Sequence, residues 1–229
     1  MPRVPPSREY RRFGAESTER TLRATKSWHR FICGRLGGQN MYCGEHVRLR
    51  ALEMSDLDNI MKHWNTYEMR RFLGSTLPMS ERAEKEWLEK ATTQDARKDG
   101  SIVLAIEDKK TQEFLGTASL FDISSHSKRA EFGIAIHNPE KMSKGYGTDA
   151  TRLTLWIGFH QLGLNSIYLY TLSFNERAQR AYEKAGFKRA GIFRKSMFAE
   201  GEFHDMIIMD ILRDEFFEKY PPGTPIAKE

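Results

Sequence analysis

Met142–Ala150 reads MSKGYGTDA. Two glycines flank one tyrosine, and a threonine and an aspartate follow. Upstream, RAEFGIAIH (129–137) alternates, with Phe132, Ile134 and Ile136 on one face, as a half-buried strand does. Downstream, Ala150, Leu153, Trp156 and Ile157 recur at helical spacing, which predicts a helix from Thr148 to His160. A strand, a glycine bend and a helix start, in that order, suit an anion. The first amides of a helix lack carbonyl partners and carry partial positive charge. Gly145 and Gly147 remove Cβ atoms that would hold a phosphate off the backbone, and Lys144 adds a formal charge. An ordinary turn would use the same glycines, so the bend alone does not name a ligand.

Two nucleotide patterns fail here. Gly145, Gly147 and Ala150 satisfy G-x-G-x-x-A, but the following strand IYLYTLSF has no acid to hold a ribose. The G-x-x-x-x-G-K-[ST] pattern is absent. The bend therefore suits a diphosphate on another carrier.

Outward from the bend, the chain alternates between strand and helix. HVRLRAL (46–52) sets Val47, Leu49 and Ala51 against His46, Arg48 and Arg50, a half-buried strand. Ser55 is placed to cap a helix carrying Leu57, Ile60, Met61 and Trp64, and Ser80 a second one through Thr93. SIVLAIED and EFLGTASLFD read as strands joined by DKKTQ. SIYLYTLSF reads as a buried strand. NERAQRAYEKAGF is a helix with Asn175 at its N-cap and Gly186 past its end. AGIFRKSMFAEGEFHDMIIMDIL is a hairpin turning at Glu200-Gly201. The expected fold class is α+β, a mixed α/β domain. It has one central mixed, mostly antiparallel sheet of about seven strands, flanked by about four helices.

Composition bounds the rest. A chain of 229 residues, 39% hydrophobic, supports one substantial core. Two cysteines, Cys33 and Cys43, and no apolar leader point to a reducing, cytoplasmic setting. No apolar run is long enough to span a bilayer. The first 40 residues hold eight Arg, one Lys and three Glu, an excess of +6 that leaves −1 over the remainder. Residues 1–40 are thus expected to be a basic, disordered extension, and Met41 is an alternative natural start. The folded domain is expected over 41–220, with a tail at 221–229. Nucleic acid is not an expected partner except through the extension. His29, Cys33, Cys43 and His46 lack the spacing of a zinc site, and no metal is expected.

From about Val47 to Phe216 the sequence resembles the GNAT N-acetyltransferases. It is most similar to the branch holding spermidine and ribosomal-protein N-terminal acetyltransferases. The resemblance rests on VRLRALEMSDLDNIMKHWN, RAEFGIAI, SKGYGTDATRLTLWIGFHQLGLNSIYL, NERAQRAYEKAGFKRAGIF and GEFHDMIIMDILRDEF, in this order and spacing. It implies an acetyl-CoA-dependent transfer to a primary amine, a polyamine such as spermidine or a protein α-amine, by direct attack on the thioester. It further implies that loop residues Met142, Lys144, Gly145, Tyr146, Gly147 and Thr148 hold the coenzyme diphosphate. Met142 stands where the family has Gln or Arg, which removes one polar side chain. Main-chain amides at Ile134, Ala135 and Ile136 are implied to face the thioester carbonyl, and Asn175 the coenzyme near its thiol. A homodimer is an allowed assembly.

The chemistry needs an unprotonated amine, donors for an oxyanion, and a proton for the leaving thiolate. Glu131 is the candidate base or amine-binding residue, since relatives carry an acid here; pairing with Lys128 or Arg129 is the plainer alternative. Tyr182 is the candidate acid. Ala178, Ala181 and Ala185 share its helix face and bring that helix close to the sheet, although core packing alone would also explain the tyrosine. Trp64, Tyr67, Phe72 and Trp87 are core or pocket wall. Two other functions remain open at this point: a non-catalytic coenzyme A-binding regulatory domain, and a ribosome- or RNA-tethered protein working through the basic extension.

Overall fold

The computed structural model describes residues 42–222. The expected extension lies outside them, as do His29 and Cys33. One eight-stranded sheet runs in the order β1-β2-β3-β4-β5-β6-β8-β7. Its strands are β1 (Tyr42–Cys43), β2 (Val47–Ala51), β3 (Ile102–Asp108), β4 (Phe114–Ser124), β5 (Arg129–Ile136), β6 (Ser166–Leu172), β7 (Lys188–Ala199) and β8 (Glu202–Leu212). Every neighbouring pair is antiparallel except β5–β6, which is parallel. The helices are α1 (Leu57–Trp64), α2 (Tyr67–Arg70), α3 (Glu81–Thr93), α4 (Tyr146–Trp156), α5 (Glu176–Ala185) and α6 (Arg213–Lys219). The two-residue β1, the single turn α2 and the closing α6 are additions to the sequence expectation; α6 is fixed by Phe216, buried against Phe159.

Two cores sandwich the sheet. On one face Phe132, Ile167, Leu169, Ile207 and Met209 pack under α4 and α5. On the other, Leu52, Ile60, Leu88, Ala91 and Ala105 join α1 and α3 to the β2–β3 end. Ser80 caps α3 as expected, its side chain accepting from Ala83 N at 3.2 Å. Ser55 does not cap α1. It lies in a 3-10 turn, Met54–Asp56, where the Asp56 carboxylate instead accepts from Glu53 N and from Arg50. Arg48, expected on an outer polar face, is buried beside Glu107, which also holds Arg50. The helix after the bend begins at Tyr146 and ends in a π segment, Ile157–Gln161.

His137, just past the end of β5, is buried between Trp64 (4.9 Å) and Phe114 (5.4 Å), and neither ring nitrogen has a hydrogen-bond partner among the described residues. Burial, helped by His63, lowers its pKa to about 4. The unfolded chain takes up that proton near pH 6.5, the folded one only near 4. Stability is therefore full above about pH 6.5 and is lost as pH falls toward 4, by about 3 kcal/mol in total. Chemical denaturation at stepped pH is expected to trace this loss, and a His137→Phe protein is expected to lack that component.

Candidate functional site

β5 leads through a 3-10 turn, Pro139–Lys141, into the glycine bend. Ser143 and Gly145 have positive φ, 61° and 88°, and α4 opens with no side-chain cap. The first intrahelical bond runs from Asp149 N to Gly145 O, so the amides of Tyr146, Gly147 and Thr148 have no carbonyl one turn back. Gly145 is required by its left-handed backbone. Gly147 is not: a Cβ there would meet only Ile136 Cγ1, at 3.9 Å. The protein itself leaves this position open, and an anion seated on the helix start would use the space.

The cradle is fastened from behind. The Asp149 carboxylate accepts from His46 N (2.7 Å) and Val47 N (3.0 Å), tying α4 to β2. The Tyr146 hydroxyl donates to Asp108 Oδ2 at 2.6 Å and is the main cause holding that carboxyl down to about 2. Lys144 and Tyr146 are not among the residues that line the cleft described next.

The β5–β6 pairing covers only Arg129–Ser166, Ala130–Ile167 and Glu131–Tyr168. Beyond those rungs the two strands diverge, although β5 runs on to Ile136 and β6 to Leu172. A cleft of about 710 Å³ occupies the opening, and Met142, Gly145, Gly147, Thr148, Ile134, Ala135, Ile136 and Asn175 all line it. Glu131 and Tyr182 line it too, from opposite sides of the sheet. Tyr182 lies on the Phe132 face, its ring edge-on to Phe132 (6.1 Å) and Phe187 (6.0 Å). Glu131 stands on the other face, opposite Phe121 and beside Tyr168.

Burial pushes the Tyr182 hydroxyl up to about 12, so it is a proton donor throughout the neutral range. The Glu131 carboxyl is also raised, first by burial, then by the Asp122 charge, against a hydrogen bond from Tyr168. No ion pair joins Glu131 to Lys128 or Arg129 among the described residues; Arg129 lies over the Tyr168 ring instead. Asn175 caps α5, accepting from Ala178 N at 3.2 Å.

The Glu131 side of the cleft is walled by Phe121 of β4, Phe72 after α2, and Met197 and Met206 from β7 and β8. Tyr67 and Arg71 hold the hairpin tip over this wall: the Tyr67 hydroxyl donates to Glu200 Oε1 (2.9 Å), and Arg71 pairs with the same carboxylate (2.8 Å). Trp64 belongs to the core against His137, and Trp87 does not line the cleft.

A family model described as an acetyltransferase (GNAT) domain matches residues 46–188. The chain belongs to the GNAT family. It is an N-acetyltransferase, as its relatives are. One similar protein, 28% identical over 191 residues, is the spermidine N(1)-acetyltransferase of Escherichia coli K12; the match covers 80% of this chain and 95% of that one. Another is an uncharacterized N-acetyltransferase from the SPbeta prophage of Bacillus subtilis, 26% identical over 182 residues, covering 76% and 94%. Among solved structures, spermidine N-acetyltransferase from Vibrio cholerae in complex with CoA and spermine superposes with a TM-score of 0.68. It is 27% identical, and the match covers 75% of this chain and 98% of that one.

Sequence reasoning missed several residues of this GNAT cleft. Arg177, Arg180 and Lys184 all line it. Their i, i+3, i+7 spacing places them on one stripe of α5 beside Ala178, Ala181 and Tyr182, and that periodicity was the available signal. Ser119 and Thr117 of β4 and Met197 and Met206 of the final hairpin carried no local signal, because only strand register brings them to the opening.

Proposed function

We propose that this chain transfers the acetyl group of acetyl-CoA to a primary amine, by direct attack of the amine on the thioester. The observation that supports this most is the open seam between β5 and β6, which begins beside Glu131 and ends at the bare helix start. Acetyl-CoA supplies the activated acyl group and a diphosphate. Amides of Tyr146, Gly147 and Thr148 would hold the diphosphate, with space left at Gly147. Alternate amides between Phe132 and Ile136, beyond the last β5–β6 rung, would act as fixed donors toward a developing oxyanion. Asn175 keeps the start of α5 rigid beside them.

The proton path follows from the two raised pKa values. An ammonium ion has no lone pair, so Glu131 takes the amine proton, directly or through water. A raised carboxyl is a stronger base than an exposed one. Tyr182 keeps its own proton and offers it to the departing sulfur. Both residues line one cleft but face it from different sides, as a donor thioester and an acceptor amine would.

Thiol release from acetyl-CoA is expected to depend on added amine. A Glu131→Gln variant is expected to lose about tenfold in kcat/KM for the amine and to show a flattened acid limb in its pH profile. An acid limb identical to the unaltered enzyme's would remove Glu131 from the reaction. Absence of amine-dependent thiol release across spermidine, amino acids and short peptides would overturn the proposal.

A further inference from the structure

The cleft as a whole has an uneven charge. Among the described residues lining the cleft, Glu131 is the one acid, whereas Lys141, Arg177, Arg180 and Lys184 are cations. Two acids near the hairpin are already engaged. Glu200 is taken by Arg71 and Tyr67, and Asp205 accepts from Lys195 N at 2.8 Å. The wall itself is apolar: Met69, Phe72, Phe121, Met197 and Met206. A polyamine carries several ammonium groups, and each one removed from water needs a carboxylate or an equivalent set of acceptors.

Arg177 adds a second, independent observation. Lys141 pairs with Glu113, and Arg180 with Glu176. Among the described residues Arg177 has no acidic partner; its guanidinium lies 5.2 Å over the Phe72 ring, and partial burial lowers its pKa. Arg177 is exposed, and a guanidinium at the mouth of a cleft is a receptor for a carboxylate. The diphosphate does not supply that anion. α5 runs from Arg177 toward Lys184, whose carbonyl accepts from Arg152 of α4. Seven residues of helix, about 10 Å, separate the two ends. The Lys184 end lies against the coenzyme side, and the Arg177 end lies against Phe72 on the acceptor side.

We infer that the acceptor is a primary amine on an apolar body that carries a carboxylate of its own, as an amino acid or a peptide end with an acidic residue does. The inference rests on the acetyl transfer proposed above. Glu131 receives the amine, the methionine and phenylalanine wall receives the body, and Arg177 receives the carboxylate.

Isosteric acceptor pairs test it with the full chain and acetyl-CoA, reading thiol release. Leucine against leucinamide probes a free amino acid; Leu-Asp-amide against Leu-Asn-amide probes a peptide end; spermidine is the polycation. In at least one pair the carboxylate member is expected to exceed its amide by about tenfold in kcat/KM, mostly through KM, and to exceed spermidine. The pair that responds distinguishes the two sources. In Arg177→Gln the ratio within that pair is expected to fall to about one, with the thermal melt checking the fold. Faster turnover of spermidine than of every carboxylate-bearing probe would overturn the inference and leave acetyl transfer standing. So would ratios near one in both pairs. Thiol release with none of the amines would overturn both.

Discussion

A Tyr182→Phe enzyme is expected to keep its fold and its affinity for acetyl-CoA while kcat falls about 10²–10³-fold. The ring contacts that hold residue 182, edge-on to Phe132 and Phe187, belong to the phenyl group and survive the change. Only the hydroxyl is lost, and with it the donor proposed for the leaving sulfur. Because burial places this group at about 12, it does not titrate in the working range, and the loss is expected to be uniform between about pH 6 and 9. Steady-state kinetics with saturating amine, beside a direct measurement of coenzyme binding, separates a lost donor from a lost site. Unaltered turnover would show that the sulfur leaves without help from this residue.

Gly147→Val is expected to act in opposite directions on folding and on binding. Within the protein a side chain at 147 meets nothing closer than 3.9 Å, and valine has a better helix propensity than glycine. The thermal melt should therefore stay level or rise slightly. The same side chain would stand where the helix amides are proposed to meet a diphosphate, and kcat/KM for acetyl-CoA is expected to fall about a hundredfold. Gly145→Val supplies the contrast. Its backbone, at φ 88°, is closed to valine, so that variant should lose about 1–2 kcal/mol of stability as well. Two glycines of one motif thus do different work, one conformational and one steric. Equal losses of stability in both variants would contradict that division.

What could be read from the chain followed the range of the interactions involved. The caps at Ser80 and Asn175, the exit at Gly186 and the hairpin at Glu200-Gly201 depend on residues a few positions apart, and the structure has them where spacing put them. Ser55 misled because Arg50 engages the neighbouring Asp56 carboxylate and a 3-10 turn forms instead. Arg48 misled because its partner, Glu107, lies on the next strand of the sheet but 59 residues away in sequence. The coenzyme side of the cleft was legible for the same reason as the caps: it is one continuous stretch, a strand, a bend and a helix. The acceptor side was legible only at Glu131 and Phe72, because the rest of its wall is assembled from β4 and the β7–β8 hairpin.

The cleft passes through the sheet rather than resting on one surface, with Tyr182 on one side and Glu131 on the other. Under the proposed transfer each reactant would have its own doorway, and neither would have to leave before its counterpart arrived. Traffic of this kind favours a ternary encounter, with no acetyl parked on the protein between two half-reactions. It also frees the two entrances to diverge separately, so that a lineage can exchange its amine without renegotiating its grip on the coenzyme.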